Sequence, residues 1–162
     1  MAITLNGTTG ITTPADTVTG NATVGGTLGV TGATSLAATT VSATLGVTGN
    51  TTLGSYSETV VAIGTVTTAN TLSLATGTVQ TATLTASTAC TFTMPTATAG
   101  KSFILLLKQA ATTGNGTATF TSVKWPTAGA PTITATAGKM DILTFVADGT
   151  NWYGSYSQGY TP

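Results

Sequence analysis

Residues 24–53 contain one short sequence written twice: Gly26-Thr-Leu-Gly-Val-Thr-Gly32 returns as Ala43-Thr-Leu-Gly-Val-Thr-Gly49, seventeen residues later. The large apolar residues keep the same register in both copies, and only Thr, Gly, Ala, Ser and Asn separate them. These apolar residues are Val24, Leu28, Val30, Leu36, Val41, Leu45, Val47 and Leu53. Self-similarity at a fixed period indicates a stacked or fibrous unit before it indicates a globular domain.

This repeat is too poor in apolar residues to hold a fixed shape as a single chain. About one residue in four is large and apolar, and burying one such side chain stabilises by about 1.5–3 kcal/mol. Ordering each backbone residue costs about 1–2 kcal/mol, so four of them cost more than one buried side chain contributes. The repeat therefore needs neighbours, and we expect identical chains to supply them. We predict a homotrimer with the eight apolar residues at its oligomer interface.

Composition places the chain in the all-β class. Charged residues make up 5% of the 162 residues, far below the usual quarter of a sequence. Thr occurs 44 times, and its β-branched side chain suits a pleated strand better than a helix. A surface so poor in charge stays soluble through its hydroxyl groups or is hidden in contacts, which again favours an assembly.

Charge, cysteine content and the first residues argue against several partners. The net charge is zero, Arg is absent and the four lysines are scattered, so we expect no nucleic-acid partner. A single cysteine excludes an internal disulfide framework. The longest apolar run, Phe103–Leu107, is far shorter than the ~20 residues that span a membrane. The opening Met1-Ala-Ile-Thr-Leu-Asn6 has no basic region and no apolar run, which predicts a soluble protein without a secretory signal.

The chain is predicted to have three parts. Residues 1–20 form an N-terminal arm, because Asn6-Gly7 and Pro14 interrupt a weak alternation. Residues 21–76 form a repeat or shaft-like region, and residues 77–162 form a compact C-terminal β domain. Alternating or apolar stretches predict about seven strands in that domain, at 82–86, 90–94, 102–108, 117–123, 133–137, 140–147 and 152–156. The expected fold is an extended Thr/Gly-rich repeat region followed by a small β-sandwich or jelly-roll-like domain.

Four motifs in the C-terminal domain carry a family likeness. They are Ser122-Val-Lys-Trp-Pro126, Ala130-Pro-Thr-Ile133, Ala137-Gly-Lys-Met-Asp-Ile-Leu-Thr-Phe145 and Asp148-Gly-Thr-Asn-Trp-Tyr-Gly154. Together they make a W-P turn, an A-G-x-x-D-x-x-x-F strand and a D-G-x-x-W-x-G closing hairpin. This pattern resembles a C-terminal domain of bacteriophage virion proteins, chiefly tail-fibre-like ones. The Gly/Thr repeats likewise resemble the low-complexity shafts of phage fibres.

The resemblance implies a non-enzymatic virion structural protein, first of all a short homotrimeric tail fibre or tailspike-like component. The chain is short, without a long shaft or a separate receptor-binding head, so a capsid decoration (cement) protein is the alternative. In that alternative the arm and repeat would lie along neighbouring capsomers by strand addition. The implied partners are further copies of the chain and other virion proteins of the tail or capsid. The implied location is the virion, assembled in the host cytoplasm.

Residues for catalysis or metal binding are scarce. The chain has no histidine, so acid–base chemistry would depend on Asp16, Glu58, Asp141 and Asp148. Asp141 and Asp148 lie at opposite ends of one predicted strand, roughly 23 Å apart, whereas glycosidase carboxylates lie about 5–10 Å apart. We expect Asp148 to cap a turn, Asp141 to lie at a strand edge and Cys90 to be a small buried hydrophobe. We predict no catalytic residue, no cofactor and no metal site, with calcium at Asp148 as the one metal alternative.

Aromatic residues near the C-terminus support one further hypothesis. Trp152, Tyr153 and Tyr156 are candidate surface-binding residues, because exposed rings stack on the sugars of a host surface glycan. A glycan-binding module is therefore a further alternative function. The favoured interpretation is that these rings fill the core and the subunit contacts, where amphipathic rings are common. A bacterial adhesin or surface-layer fragment is the last alternative, and it would require a secretion route.

Overall fold

The computed structural model describes Thr19 and residues 21–162, which divide into two compact units between Thr51 and Thr52. The predicted N-terminal arm, including Asp16, lies outside the described residues apart from Thr19. Within residues 21–51 of the described chain there is no helix and no strand, and every side chain is exposed. The eight apolar residues of the repeat are 44% to 70% exposed. Their role as an oligomer interface stays a prediction.

The second unit is built entirely of strands and loops. No helix occurs among the described residues, and so none there is long and apolar enough to cross a membrane. Its strands are, in chain order, β1 (Val60–Val66), β2 (Ala69–Thr71), β3 (Val79–Leu84), β4 (Ala89–Thr93), β5 (Ser102–Lys108), β6 (Thr117–Phe120), β7 (Val123–Lys124), β8 (Met140–Ala147) and β9 (Trp152–Tyr160). They form a larger sheet of order β1-β3-β5-β8-β9-β7 and a smaller sheet of order β2-β4-β6.

The first six strands stack as three coils of a short β-solenoid. β1, β3 and β5 pair in parallel in the larger sheet, and β2, β4 and β6 pair in parallel in the smaller one. Each coil therefore gives one strand to each sheet. Val60 pairs with Val79, and Val79 pairs with Ile104, so successive coils advance by 19 and then 25 residues. Backbone hydrogen bonds continue through the corners, as from Thr85 N to the Val66 carbonyl.

Alternation along the strands explains why the coils stack. In β3 and β5 every second residue is buried, and the inward residues of both sheets join one core. Phe92 and Phe120 occupy equivalent places in adjacent coils, and their rings stack with centroids 5.2 Å apart. The outer face of the smaller sheet carries exposed threonines instead, and Thr91 Oγ1 lies 3.2 Å from Thr119 Oγ1. A Thr/Ala/Val-rich sequence with period two thus supplies one apolar and one hydroxyl face.

An antiparallel hairpin closes the C-terminal end of the solenoid. β8 pairs antiparallel with β5, and β9 pairs antiparallel with β8. Trp152, the first residue of β9, is buried on the inner face of the hairpin. Its Nε1 donates a 2.7 Å hydrogen bond to the Pro95 carbonyl. The Trp125 ring packs edge-on against Phe145 and Tyr156. The parallel stack therefore ends in an aromatic cluster and an antiparallel strand pair.

The all-β prediction is confirmed, and the layout of the strands differs from the expected sandwich or jelly roll. Two sheets do enclose one core, but six of the strands are parallel neighbours in successive coils rather than antiparallel Greek-key partners. The stretch 133–137, predicted as a strand, is a loop. The predicted boundary at residue 76 falls between β2 and β3, whereas the compact unit begins at Thr52. Strand identity is a local property, but pairing direction depends on the path of the whole coil.

Candidate functional site

A groove of about 430 Å³ lies on the outer face of the larger sheet. Strands β5, β8 and β9 form its floor, near the start of β5 and β9 and the end of β8. The lining residues are Glu58, Ser102, Phe103, Ile104, Thr144, Phe145, Val146, Tyr153, Gly154 and Ser155. Phe103, Phe145 and Gly154 face the core and contribute mainly backbone. The side chains of the other lining residues form the surface of the groove.

Strand register arranges six outward residues of the groove in two rows. Ser102, Val146 and Tyr153 are cross-strand neighbours in one row. Ile104, Thr144 and Ser155 form the other row. Neighbouring strands are about 4.8 Å apart and alternate residues about 6.7 Å apart, so the rows cover a patch of roughly 10 by 7 Å. The patch contains both hydroxyl groups and apolar side chains.

The Tyr153 ring is held in place at one edge of the groove. It is 44% exposed, and its hydroxyl donates a 2.9 Å hydrogen bond to Asp148 Oδ2. The other Asp148 oxygen accepts hydrogen bonds of 2.7 Å from both Thr150 N and Asn151 N. The donors from Asn151, Thr150 and Tyr153 lower the pKa of Asp148 to about 2, and the bond to Asp148 raises the pKa of Tyr153. The predicted turn cap at Asp148 is confirmed.

Glu58 supplies the one charged side chain among the lining residues. It precedes β1 and reaches the groove beside the start of β3, where its Oε2 accepts a hydrogen bond from Thr78 Oγ1. Thr144 Oγ1 and Ser155 Oγ are also hydrogen-bonded to each other, 2.5 Å apart. Glu58, Thr144 and Ser155 are thus held by hydrogen bonds within the protein.

The three aromatic residues proposed from sequence have different environments. Trp152 is 1% exposed and lies in the core, so it does not lie at the surface. Tyr156 is half-buried against Trp125, with ring centroids 6.0 Å apart. Tyr153 points to the opposite side of β9 and lines the groove. The period of two along the strand separates these neighbours, so one of the three rings is presented to a ligand.

Asp141 and Asp148 lie towards opposite ends of β8 and have different partners. Asp141 is 1% exposed and accepts hydrogen bonds from Thr134 N (2.8 Å), Gly159 N (3.0 Å) and Gln158 Nε2 (3.0 Å). It is therefore buried near the start of β8 rather than exposed at a strand edge. Burial alone would raise the pKa of Asp141, but the bonds from Gln158, Thr134 and Gly159 hold it below its usual value. Asp148 lies beyond the other end of the same strand.

The Cys90 thiol and possible groups of metal-ligating side chains are the remaining candidates for chemistry. The Cys90 thiol is buried on the inner face of β4, and burial raises its pKa, so the nucleophilic thiolate is disfavoured. Within residues 21–162 and at Thr19, no group of three or more His, Cys, Asp or Glu residues is placed to hold a metal ion.

Sequence reasoning missed most of the groove residues. Ser102, Thr144 and Ser155 are ordinary polar positions of alternating strands, and Glu58 precedes its strand by two residues. Their juxtaposition depends on β8 pairing with both β5 and β9, which no local motif encodes. The D-G-x-x-W-Y sequence was the one usable signal, because its turn places Tyr153 directly after the hairpin. No family model, curated protein or solved structure matches this chain.

Proposed function

We propose that this chain is a non-enzymatic structural protein of a bacteriophage particle, a short homotrimeric tail fibre or tailspike-like component. One observation carries the assembly part of this proposal: the large apolar residues of the repeat are 44% to 70% exposed in the single chain. Eight such residues in regular register leave a stripe that is stabilised only when another surface covers it. Identical chains carry the same stripe, and so a symmetric homo-oligomer covers all of them at once.

The C-terminal motifs that resemble phage virion proteins have structural roles here, which supports a mechanical function. A Cβ at Gly154 would lie 2.5 Å from the Trp125 ring, so glycine permits the close packing of the closing hairpin. Trp152 binds the Pro95 carbonyl, and Asp148 caps the turn between β8 and β9. In this proposal the Thr/Gly repeat winds with its copies, and the closed solenoid faces outward from the particle.

Molar mass in solution tests the assembly part. The full chain, of 15.9 kDa, should elute with about three times that mass when light scattering follows size-exclusion chromatography. The Leu28→Asn/Leu45→Asn double variant should dissociate, because it places two amides in the covered stripe. Tyr56→Asn is the matched control, since Tyr56 is 74% exposed but lies outside the two sequence copies in residues 24–53. A monomeric wild-type chain at micromolar concentration would contradict the homotrimer.

Position on the particle tests the virion part. Cryo-electron microscopy of particles carrying this chain should show density in a few symmetric copies at the tail. Density spread over the capsid lattice at threefold or quasi-threefold positions would instead establish the cement-protein alternative. Purified particles that lack the chain, as measured by mass spectrometry, would reject both virion roles.

A further inference from the structure

We propose that the groove on the outer face of the larger sheet is a carbohydrate-binding site for an uncharged sugar, with Tyr153 as its stacking platform. The inference goes beyond the structural role proposed above, because it concerns a binding activity of the solenoid unit itself. It depends on the groove, defined by Glu58 and residues of β5, β8 and β9, and on no contact with another chain. Three features of the groove lead to this ligand class.

The first feature is the mixture of surfaces in the groove. Sugars present hydroxyl groups around the ring and apolar C–H groups on its faces. The patch offers matching partners: Ser102, Thr144 and Ser155 each donate and accept hydrogen bonds, while Ile104 and Val146 offer apolar contact. Its dimensions of roughly 10 by 7 Å suit one or two pyranose rings. A small polar set within a mainly apolar concavity is the usual composition of a ligand site.

The second feature is the preorganised aromatic ring. Tyr153 stands beside the patch with 44% of its surface exposed. The hydrogen bond to Asp148 fixes the orientation of the ring, and the two backbone donors to Asp148 fix that carboxylate in turn. A ring that is already immobile loses little conformational entropy when a sugar stacks on it. Asp148 is therefore a positioning residue for the platform.

The third feature is charge, which excludes other ligand classes. Glu58 lines the groove, and Asp148 accepts the hydrogen bond from the Tyr153 hydroxyl. The described residues that line the groove include no Lys or Arg. Phosphates and acidic sugars would be repelled, and a carboxylate that accepts hydrogen bonds suits neutral hydroxyls. An extended peptide would need free backbone groups, but β8 is paired on both sides. The groove therefore selects a neutral glycan.

Saturation-transfer difference NMR on the purified full chain tests this site. The probes are the methyl glycosides of glucose, galactose, mannose and N-acetylglucosamine, with the methyl glycoside of sialic acid as the anionic comparison. We expect transfer to the ring C–H protons of at least one neutral glycoside and none to the sialoside. Tyr153→Ala should raise the Kd for the neutral glycoside about tenfold or more. Tyr160→Ala is the matched control, because Tyr160 is 43% exposed on the same strand but outside the groove.

Two further variants separate ligand contact from positioning. Tyr153→Phe keeps the ring but loses the bond to Asp148, and so it should weaken binding less than Tyr153→Ala. Glu58→Gln should weaken binding of the neutral sugar while leaving the thermal midpoint unchanged.

The site is rejected if no neutral glycoside shows transfer, or if Tyr153→Ala and Tyr160→Ala bind alike. It is also rejected if Tyr153→Ala changes the molar mass in solution, because the groove is then an interface between copies. Loss of sugar binding alone leaves the proposed virion role intact, since that role is tested on the particle.

Discussion

The repeat and the solenoid use nearly the same residue types and reach opposite degrees of burial. Leu45 in the repeat is 70% exposed, whereas Leu105 in β5 is fully buried. In the repeat, Leu28 and Val30 are two residues apart and the next large apolar residue is Leu36. Each copy therefore has only one pair of large apolar residues at consecutive period-two positions. In β5, three inward residues follow at strict period two, which is enough to join a core across two sheets.

The comparison shows that burial depends on the density of the apolar pattern rather than on its presence. Alternation that lasts for a whole strand lets a coil stack on its own neighbours, as β3 does between β1 and β5. Alternation that stops after two residues leaves the apolar side chains to another molecule. The first arrangement should make a chain stable by itself, and the second should make it stable only in an assembly.

Matched leucine truncations should give the largest difference between the two regions. Leu105→Ala removes fully buried methyl groups and should lower the free energy of unfolding by about 2–5 kcal/mol. Leu45→Ala should change the unfolding of the solenoid by less than about 0.5 kcal/mol and should weaken self-association instead. Urea denaturation followed by tryptophan fluorescence measures the first effect, because Trp125 and Trp152 both lie in the solenoid unit. Equal losses for both variants would contradict the contrast in burial.

Matched glycine substitutions should give the next largest difference. Gly114 has a φ of +63°, and a Cβ there would lie 2.3 Å from the Ala135 carbonyl oxygen. Gly114→Ala should therefore destabilise the solenoid by about 1–3 kcal/mol. A Cβ at Gly46 would meet no heavy atom within 4 Å, so Gly46→Ala should leave the urea midpoint unchanged. An unchanged urea midpoint for Gly114→Ala would contradict this prediction, because the loop between β5 and β6 would then accommodate the added Cβ.

Acid should destabilise the solenoid through Asp141. Because hydrogen bonds hold its folded pKa below the usual value, its stabilising contribution is complete above the unfolded pKa of about 3.9. That contribution is lost as the pH falls from there through the folded pKa. Asp148, with a pKa of about 2, should add a loss in the same acidic range. Residues 21–51 contain no titratable side chain, so the repeat should contribute nothing to this dependence.

The Asp141→Asn variant separates this group from the rest. It should cost about 1–3 kcal/mol at pH 7, because the amide nitrogen would face backbone N–H donors. Below pH 4 its urea midpoint should fall less steeply than that of the wild type. Glu58→Gln, at an exposed carboxylate, is the control and should unfold like the wild type at pH 7. Parallel pH profiles for Asp141→Asn and wild type would exclude Asp141 as the acid-sensitive group.

Threonine hydroxyls on the smaller sheet should show the smallest effect. Thr91→Val keeps the β-branched shape and removes a hydroxyl that lies 3.2 Å from the Thr119 hydroxyl. Because this pair is exposed, we expect a change of about 0.5 kcal/mol or less. Thr44→Val, in the repeat, should have no effect on the same measurement. A double-mutant cycle on Thr91 and Thr119 with a coupling above about 1 kcal/mol would give the hydroxyls a larger role.

Local features of the fold could be predicted from sequence, and distant pairings could not. The Asp148-Gly149 turn and the apolar strands around Leu105 and Leu143 follow from turn chemistry and period-two alternation. The solenoid was not predictable because its coils differ in length, so Val60, Val79 and Ile104 show no constant period. At the candidate site, the aromatic Tyr153 was a visible signal. Its partners became visible only once the register of three strands was known.

The two ends of the solenoid are not equivalent. At one end β1 and β2 have no further strand beside them among the described residues. At the other end, the antiparallel β8–β9 pair replaces the next parallel coil. The stack therefore has one end that a further coil could extend and one end that is capped. Duplication of a coil would lengthen the stack and leave the β8–β9 pairing in place, whereas the groove also includes Glu58, which precedes β1, and residues of β5. The length of the stack and the strand pair that closes it are then separately variable.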